Sequence, residues 1–335
     1  MAVTIKDVAK KANVSISTVS RVINDSKPVS DEIKHRVLKV IEETGYTPNP
    51  VARSLVMKKS QLIGVVVPSI SNFFIGEVLN GIEEIGKMYN YDILLCNTYG
   101  ELNQELRYLN LLKSKQVEGI IFMTWELKEE HKEFFNKEDI PIVMINRDTS
   151  EFNITSVSID HQKAAYEMTK YLIDKGHKKI ALIRGRIENY VFGIDQYKGY
   201  AKAMEENNLE IDQRLIKNCE FKLELAYEAV QEMIEDDILP TAIFATADSM
   251  AFGAINSLID SGYKVPEDVS VVGFHDIKLA SIYRPKLTTI RQPLYDIGAV
   301  SIRAIVKKIK GEEIEENIFV LPHELIERDS CKSIK

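Results

Sequence analysis

The sequence predicts a small unit of three helices followed by a larger α/β body with two doubly wound lobes. Two observations lead to this fold class. The first fifty residues contain three short segments that each carry one apolar stripe, whereas the remaining residues alternate short apolar runs with amphipathic stretches. A chain of 335 residues also exceeds one average domain, so a small module and a sizeable core can both form.

Start and stop residues define the three short helices. Thr4 and Asp7 have capping-box spacing at the front of "IKDVAKKA", and Ser15 is a good N-cap for "ISTVSRVIN". Ser30 has the same role for a third helix, which Gly45 ends. Because only a short break separates the first two helices, the spacing predicts a helix-turn-helix.

The second of these helices has two chemically different sides. At about 100° per residue its valines cluster on one side, and the outward side carries Ser17, Ser20, Arg21 and Asn24. Short hydrogen-bonding side chains and one guanidinium suit a helix that approaches base edges in the major groove. The alternative interpretation is an ordinary solvated helix face.

Charge is segregated along the chain. Net charge is −7, but residues 1–60 contain 11 Lys and Arg against 6 Asp and Glu, whereas residues 61–335 carry an excess of acidic groups. A basic front on an acidic body favours contact of the front with a polyanion. For so short a window, chance fluctuation is the alternative.

A hinge-like segment follows in "GYTPNPVARSLVMKKSQ". Pro48 and Pro50 interrupt the chain, and "VARSLVMKK" has the length of two helical turns, which are marginal alone in water. We therefore expect this helix to need its copy in a second subunit, or DNA. Val51 and Leu55 are apolar on a basic segment, and an apolar wedge in a minor groove can kink DNA. The alternative is a linker whose leucine packs on the body.

Two series of buried parallel strands are predicted in the body. The first is "LIGVVVP", "YDILLC", "GIIFM" and "PIVMI", and the second is "KIALIR", "TAIFAT" and "VSVVGF". Polar or aromatic residues follow several strand ends, where ligands bind to open α/β sheets: 69–74, Arg147, Asp148, Asp248, His275 and Asp276. The predicted domains are a headpiece (1–46), a hinge (47–60) and a core (61–335), with lobe one at about 61–160 plus 291–322 and lobe two at about 161–290 plus 323–330.

The sequence argues against several classes of protein. It contains no GxGxxG, GxxxxGK[ST] or GxSxG, and "HELIE" has Glu327 where a zinc protease needs its second histidine. Three widely spaced cysteines favour neither a disulfide framework nor a metal site. We therefore expect no enzyme, cofactor or metal. No run approaches the roughly 18 apolar residues of a membrane span, and no secretory signal begins the chain, so we expect a cytoplasmic protein.

The front of the chain, "TIKDVAKKANVSISTVSRVIN" and "GYTPNPVARSL", resembles the DNA-binding headpiece and hinge of the LacI/GalR family of bacterial transcription regulators. The resemblance implies base contacts by Ile16, Ser17 and Arg21. It implies phosphate-backbone contacts by Thr4, Ser15, Thr18, Ser20 and Asn24. It further implies that Leu55 intercalates at the centre of a palindromic operator, supported by Asn49, Ala52 and Arg53.

The body resembles the periplasmic-binding-protein-like core of the same family through "HKKIALIRG", "PTAIFATADSMAFGAI", "VPEDVSVVGFHDI" and "RPKLTTIRQPLYDIGAVSI". The resemblance implies a small-molecule effector between the lobes. The predicted effector-binding residues are Asn72, Phe73, Phe74, Arg147, Asp160, Gln196, Phe221, Asp248, His275 and Asp276.

Three of these residues bear on the identity of the effector. Arg147 in "MINRD" is typical of sugar-binding members and can bond vicinal hydroxyls, although a salt bridge with Asp148 or a neighbouring carboxylate is the alternative. Members often carry Arg at the position of Gln196 and Asp at that of His275, so the pocket has lost one cation and one anion. A disaccharide, a modified sugar and a vestigial pocket all stay open.

Within the family, "EEIGKMYNYDILL" and "QPLYDIGAVSIR" look closest to the catabolite control protein group, whose partner is the serine-phosphorylated phosphocarrier HPr. If that partner carries over, the resemblance implies a contact surface made by Tyr89, Tyr295, Asp296 and Arg303. The guanidinium of Arg303 is suited to phosphoserine.

Together these observations predict a homodimeric DNA-binding regulator, a repressor of sugar-utilisation genes, with dimer contacts around the outer face of helix 74–90. A catabolite control regulator is the alternative within the family. Outside it, a solute-binding protein of the same fold would need an export signal and no headpiece, and an enzyme would need a catalytic constellation that the sequence lacks.

Overall fold

The computed structural model describes residues 3–24, 27–46, 60–146, 149, 154–185, 191–314 and 316–334. The chain divides into two compact units, residues 1–61 and 62–335. In the part of the chain that is described, no helix combines the length and apolar character needed to cross a membrane.

The first unit is a three-helix bundle. Its helices are α1 (Ile5–Ala12), α2 (Ile16–Asn24) and α3 (Asp31–Thr44). Asn13 and Gly45 adopt left-handed backbone conformations (φ 53° and 62°) and end α1 and α3. The predicted apolar stripes meet in one small core, whose buried members are Val8, Ala9, Ala12, Val19, Val22, Val37 and Val40. The predicted helix-turn-helix is therefore confirmed.

Lobe one of the second unit is built on six parallel strands in the order β11-β5-β4-β3-β1-β2. Its strands are β1 (Leu62–Val67), β2 (Asp92–Asn97), β3 (Gly119–Phe122), β4 (Ile142–Ile145), β5 (Thr155–Ile159) and β11 (Ile318–Leu321). Its helices are α4 (Phe73–Met88), α5 (Leu102–Ser114), α6 (Glu129–Lys137) and α11 (Leu294–Lys310).

Lobe two has six strands in the order β12-β10-β9-β8-β6-β7, of which only β12 is antiparallel to its neighbour. The strands are β6 (Ile180–Arg184), β7 (Ile216–Asn218), β8 (Ala242–Ala245), β9 (Ser270–His275), β10 (Thr288–Arg291) and β12 (Glu324–Ile326). The helices are α7 (His161–Asp174), α8 (Val191–Glu206), α9 (Leu223–Glu235) and α10 (Asp248–Asp260), with short 3-10 turns at 213–215 and 278–281.

The chain passes between the lobes three times, after β5, after β10 and after β11. The second passage delivers α11 to lobe one, where it packs closely on α4. Gly81 and Gly298 permit this approach, because a Cβ at either position would lie 2.1 Å from a carbonyl oxygen of the opposite helix. The predicted fold class, a helix-turn-helix headpiece with a two-lobed α/β core, is confirmed.

Candidate functional sites

Helix α2 begins with a cluster of hydroxyl groups. The Ser15 Oγ accepts a hydrogen bond from the backbone N–H of Thr18 at 3.1 Å, as expected of an N-cap. The same oxygen lies 2.7 Å from the Ser17 hydroxyl and 2.8 Å from the Thr18 hydroxyl. Three short side chains are thus held at the end of the helix. The Ser15 hydroxyl is fully bonded, whereas the Ser17 and Thr18 hydroxyls keep capacity for a further hydrogen bond.

The capping box of α1 also forms. The Asp7 carboxylate accepts bonds from the backbone N–H of Thr4 at 2.9 Å and from the Thr4 hydroxyl at 2.6 Å. These bonds, with the Thr4 hydroxyl first, lower the pKa of Asp7. The Thr4 hydroxyl stays exposed at the front of the unit.

The outward side of α2 carries the predicted base-contacting residues. Ile16 is 45% exposed, and Ser17 and Arg21 are exposed, while Val19 and Val22 lie in the core. Ser20 is half-buried. Arg21 shares a surface cavity of about 360 Å³ with residues that include Lys27 and Lys34. The side chain of Asn24 lies outside the described residues, as do Asn49, Ala52, Arg53 and Leu55.

Two aromatic stacks join the lobes of the body. Phe74 on α4 stacks on His275 at the end of β9, with ring centroids 4.8 Å apart and planes inclined by 10°. Trp125, which follows β3, stacks on Phe221, which precedes α9, at 5.6 Å and 16°. In each pair one ring comes from lobe one and the other from lobe two. The two lobes therefore contact each other through aromatic rings, and the region between the lobes at these rings is called the cleft below.

His275 is a neutral ring in this cleft. It is buried between Phe74 and Phe274, whose ring it meets edge-on at 5.6 Å. Burial, with a smaller contribution from His161, lowers the pKa of His275 from its ordinary value of 6.5 to about 3. The imidazole at this position contributes an aromatic surface rather than a charge.

The two carboxylates predicted beside His275 hold partners within lobe two. Asp248 accepts bonds from the Thr289 hydroxyl at 2.6 Å and from the backbone N–H of Ile277 at 2.8 Å. Burial, only partly offset by these bonds, raises the pKa of Asp248 to about 7. These bonds tie the loop after His275 to α10 and β10.

Asp276 is held by two arginines. One carboxylate oxygen lies 2.7 Å from Arg291 Nε and the other lies 2.7 Å from Arg328 Nη2. The backbone at Asp276 is left-handed, with φ 55°. The ion pairs fix this turn, and so they fix the position of the preceding His275.

The other predicted effector residues occupy different parts of the cleft region. Asn72 caps α4 by accepting from the backbone N–H of Phe74 at 3.4 Å, and Phe73 is 61% exposed. Asp160 is exposed and caps α7 by accepting from the backbone N–H of Lys163 at 2.8 Å. Gln196 is completely buried on α8. Arg147 and Asp148 lie outside the described residues.

Trp125 is a cleft residue that the sequence did not predict. A buried network holds its neighbour: the Thr124 hydroxyl donates to Glu105 Oε1 at 2.7 Å, and Glu105 Oε2 lies 2.9 Å from His131 Nε2. Position alone could have pointed to it, because Trp125 is the single tryptophan of the chain and follows a predicted strand end. Nothing in the sequence, however, pairs it with Phe221.

The residues predicted to contact a protein partner lie on the α4–α11 pair and just beyond α4. Lys310 Nζ lies 5.5 Å from the centre of the Tyr89 ring. The Tyr295 hydroxyl bonds to Glu84, which raises the pKa of that tyrosine. Asp296 and Arg303 are exposed on α11. The face thus combines two tyrosines with charged groups of both signs.

Comparison with known proteins covers both units. The family profile of "Bacterial regulatory proteins, lacI family" matches residues 4–49. The profile of "Periplasmic binding proteins and sugar binding domain of LacI family" matches residues 60–329. Catabolite control protein A of Priestia megaterium is 42% identical over 332 residues, which cover 99% of this chain and all of that protein.

Solved structures agree with these matches. The Lac repressor dimer bound to operator and the anti-inducer ONPF has a TM-score of 0.91 and 26% identity, covering 99% of this chain and all of that chain. The complex of the transcriptional regulator CelR with cellobiose has a TM-score of 0.75 and 28% identity, covering 98% of this chain and 99% of that chain. The first was solved with DNA and both were solved with a small molecule.

Proposed function

The chain belongs to the LacI family of bacterial regulatory proteins, and from this premise we propose that it is a sequence-specific DNA-binding transcription regulator. It represses carbohydrate-utilisation genes under the control of a small, sugar-type effector. The observation that carries this proposal is α2, a helix whose valines are buried and whose hydroxyl and guanidinium groups face outward. It lies within the stretch that matches the DNA-binding family profile.

Residue roles in DNA binding follow from this arrangement. Ile16, Ser17 and Arg21 are exposed on the outer side of α2 and are proposed to meet base edges. Short side chains let the helix backbone approach the groove, and the guanidinium fork of Arg21 matches the O6 and N7 acceptors of guanine. Backbone contacts are proposed for Thr4, Ser15, Thr18, Ser20 and Asn24, and hinge contacts for Asn49, Ala52, Arg53 and Leu55.

A homodimer is the proposed assembly, because one short helix reads too few base pairs to define an operator. Exposed apolar side chains on α4, on the edge strand β2 and on the loops beside them suit a contact between two copies: Ile70, Met88, Leu95 and Tyr99. Two headpieces then occupy the half-sites of a pseudo-palindrome. The Lac repressor structure supports this proposal, since that protein is a dimer on its operator.

The effector is proposed to bind between the lobes, at the aromatic stacks. Aromatic rings bind the apolar faces of sugars, and the CelR complex contains cellobiose. A ligand that inserts at Phe74 and His275 or at Trp125 and Phe221 changes the separation of the lobes. Coupling to the headpiece is then reciprocal. The effector changes the affinity for the operator by the same factor by which the operator changes the affinity for the effector.

Control by a protein partner is a second candidate, favoured by the 42% identity to a catabolite control protein across the whole chain. In this case serine-phosphorylated HPr is the co-repressor and contacts Tyr89, Tyr295, Asp296 and Arg303. Arg303 is exposed on α11 and can pair with a phosphoserine through a bidentate contact.

Operator binding tests the proposal. A duplex selected from a random pool is compared with a scrambled duplex of equal length at two salt concentrations, by fluorescence anisotropy. We expect preference for the selected duplex and weaker binding at high salt, because phosphate contacts release counterions. Equal binding to both duplexes would contradict the proposal. Added phosphorylated HPr should tighten operator binding, and Arg303→Ala should abolish that effect, only if the second candidate holds.

A further inference from the structure

A buried cation stands at the end of strand β6. Arg184, the last residue of that strand, is only 4% exposed. Burying a guanidinium is costly unless it has partners, which makes the surroundings of Arg184 informative.

The contacts of Arg184 leave part of its hydrogen-bonding capacity unused. Its Nε donates to the Asn218 Oδ1 at 3.1 Å, and the guanidinium carbon lies 4.5 Å from the centre of the Tyr197 ring. Among the described residues, its Nη1 is buried without a hydrogen-bond partner. Burial accordingly lowers the pKa of Arg184. One charged donor is therefore available to a bound anion.

The Gln196 amide is a second buried polar group without hydrogen-bond partners in the described part of the chain. Gln196 on α8 is next to Tyr197 and completely buried, and its amide nitrogen and oxygen both lack hydrogen-bond partners within the described ranges. Buried amides in folded proteins are nearly always bonded. The unpaired Gln196 amide thus points to a polar ligand, independently of the arginine.

Arg184 belongs to the part of lobe two that meets lobe one, and Gln196 directly precedes Tyr197, whose ring contacts the Arg184 guanidinium. Gly185 follows Arg184, and a Cβ there would lie 2.3 Å from the Phe221 ring, so that ring rests directly on the strand end. Phe221 in turn stacks on Trp125 of lobe one. Arg184 therefore stands one residue from an inter-lobe contact, at the edge of the cleft where the effector is proposed to bind.

We propose that Arg184, with Gln196, recognises the anionic group of the effector, and that the effector is a sugar acid carrying a carboxylate. This inference rests on the proposed function of the cleft and names its ligand class. A carboxylate has one negative charge and two coplanar oxygens, which match one guanidinium. A phosphate dianion would call for a second buried cation, and the described residues at this strand end supply only Arg184.

Binding of defined sugars to the full-length protein tests this inference. D-glucuronate, D-galacturonate and D-gluconate are compared with D-glucose, D-galactose and glucose 6-phosphate by calorimetry and thermal shift. We expect at least one of the three acids to bind more tightly than every neutral sugar and than the phosphate. Arg184→Met should lower the affinity for that acid by about 10- to 100-fold, because a charge-assisted hydrogen bond is lost. Arg184→Lys should restore part of the affinity.

Stability of the unliganded protein separates a binding role from a structural one. Since Arg184 is a buried and incompletely paired charge, Arg184→Met without ligand should melt no lower than wild type. A clear drop in melting temperature would assign Arg184 to stability and overturn the inference. Gln196→Met provides a second variant: it should fold, and it should weaken binding of the acid.

Other outcomes also overturn the inference. The inference fails if none of the three acids binds, or if a neutral sugar or glucose 6-phosphate binds as tightly as the acids or more tightly. It also fails if both Met variants keep the wild-type affinity for the acid. Operator binding without ligand is measured on the same samples. If operator preference persists while the acids fail, the ligand class is wrong and the regulator function stands. If operator preference itself is absent, the proposed function fails.

Discussion

The headpiece and the cleft place polar groups on the protein in opposite ways. In the headpiece, most of the proposed functional side chains lie on or beside one nine-residue helix, they are mostly exposed, and the hydroxyls of Ser15, Ser17 and Thr18 bond to one another. In the cleft, the polar groups come from distant parts of the chain, several are fully buried, and some lack partners. An exposed surface is ready for a large polyanion, whereas buried unpaired groups are typical of a site that a small ligand completes.

The two regions also differ in what sequence can predict. The residues of α2 are neighbours in sequence, so helical periodicity alone places Ser17 and Arg21 outside and Val19 inside, as the structure has them. No periodicity pairs Phe74 with His275 or Trp125 with Phe221. Local patterns therefore describe the headpiece site well and the cleft site poorly.

The largest expected effect tests whether the headpiece folds as a separate unit. Val19→Asp puts a charge into the bundle core and should destabilise the headpiece by at least about 3 kcal/mol, enough to unfold so small a domain. Operator binding should vanish, while the thermal transition of the body and its ligand response remain. Lys39→Asp, an exposed control on α3, should leave the headpiece folded. Joint unfolding of both units in Val19→Asp would show that they are not independent.

The next effect concerns pH in the cleft. Because burial lowers the pKa of His275 from 6.5 to about 3, between these values the unfolded chain binds a proton that the folded protein does not. This residue therefore makes the protein less stable as pH falls below about 6.5. His275→Phe keeps the ring and removes the titration.

Relative to wild type, His275→Phe should gain about 2 kcal/mol in free energy of unfolding between pH 7.5 and pH 5, measured by denaturant titration. Phe74→Leu keeps an apolar side chain over the imidazole and removes no titratable group, so its destabilisation should differ little between the two pH values. A pH-independent difference for His275→Phe would mean that His275 takes up a proton in the folded protein as readily as in the unfolded chain.

A smaller effect measures the second contact between the lobes. Trp125→Ala, Phe221→Ala and the double variant form a thermodynamic cycle for the stack. The coupling free energy should be about 0.5–1.5 kcal/mol, the usual range for an aromatic pair. The same cycle on Phe134 and Phe135, which contact edge-on within lobe one, is a comparison that does not involve lobe separation. A saturating effector should change the first coupling and not the second; equal responses would argue against an effector between the lobes.

Much of the fold was predictable because burial determines it. The seven predicted strands coincide with β1 to β4, β6, β8 and β9 to within about two residues, since both faces of a parallel sheet are covered and the runs are continuously apolar. Strand β5, "TSVSI", was missed because its buried serines and threonine hide the pattern. Strands β7 and β12 have only three residues each, which is too short for periodicity.

The site was predictable only where a residue acts through its immediate neighbours. Ser15 caps α2 as its position predicts, but Ser30 makes no side-chain capping bond. Asp248 and Asp276 were predicted as effector residues from their positions after strand ends, yet their bonds to Thr289, Arg291 and Arg328 come from segments that the sequence cannot place beside them. Their role toward a ligand stays a prediction.

The central claim is that the outward side of α2 reads bases. The most direct measurement compares wild type and Arg21→Ala on the selected operator and on duplexes that carry each single base-pair substitution in both half-sites. Arg21→Ala should lose roughly 1–3 kcal/mol of discrimination at one base pair of each half-site and little at the others. Weakening by the same factor on every duplex would make Arg21 a phosphate contact and would contradict the claim.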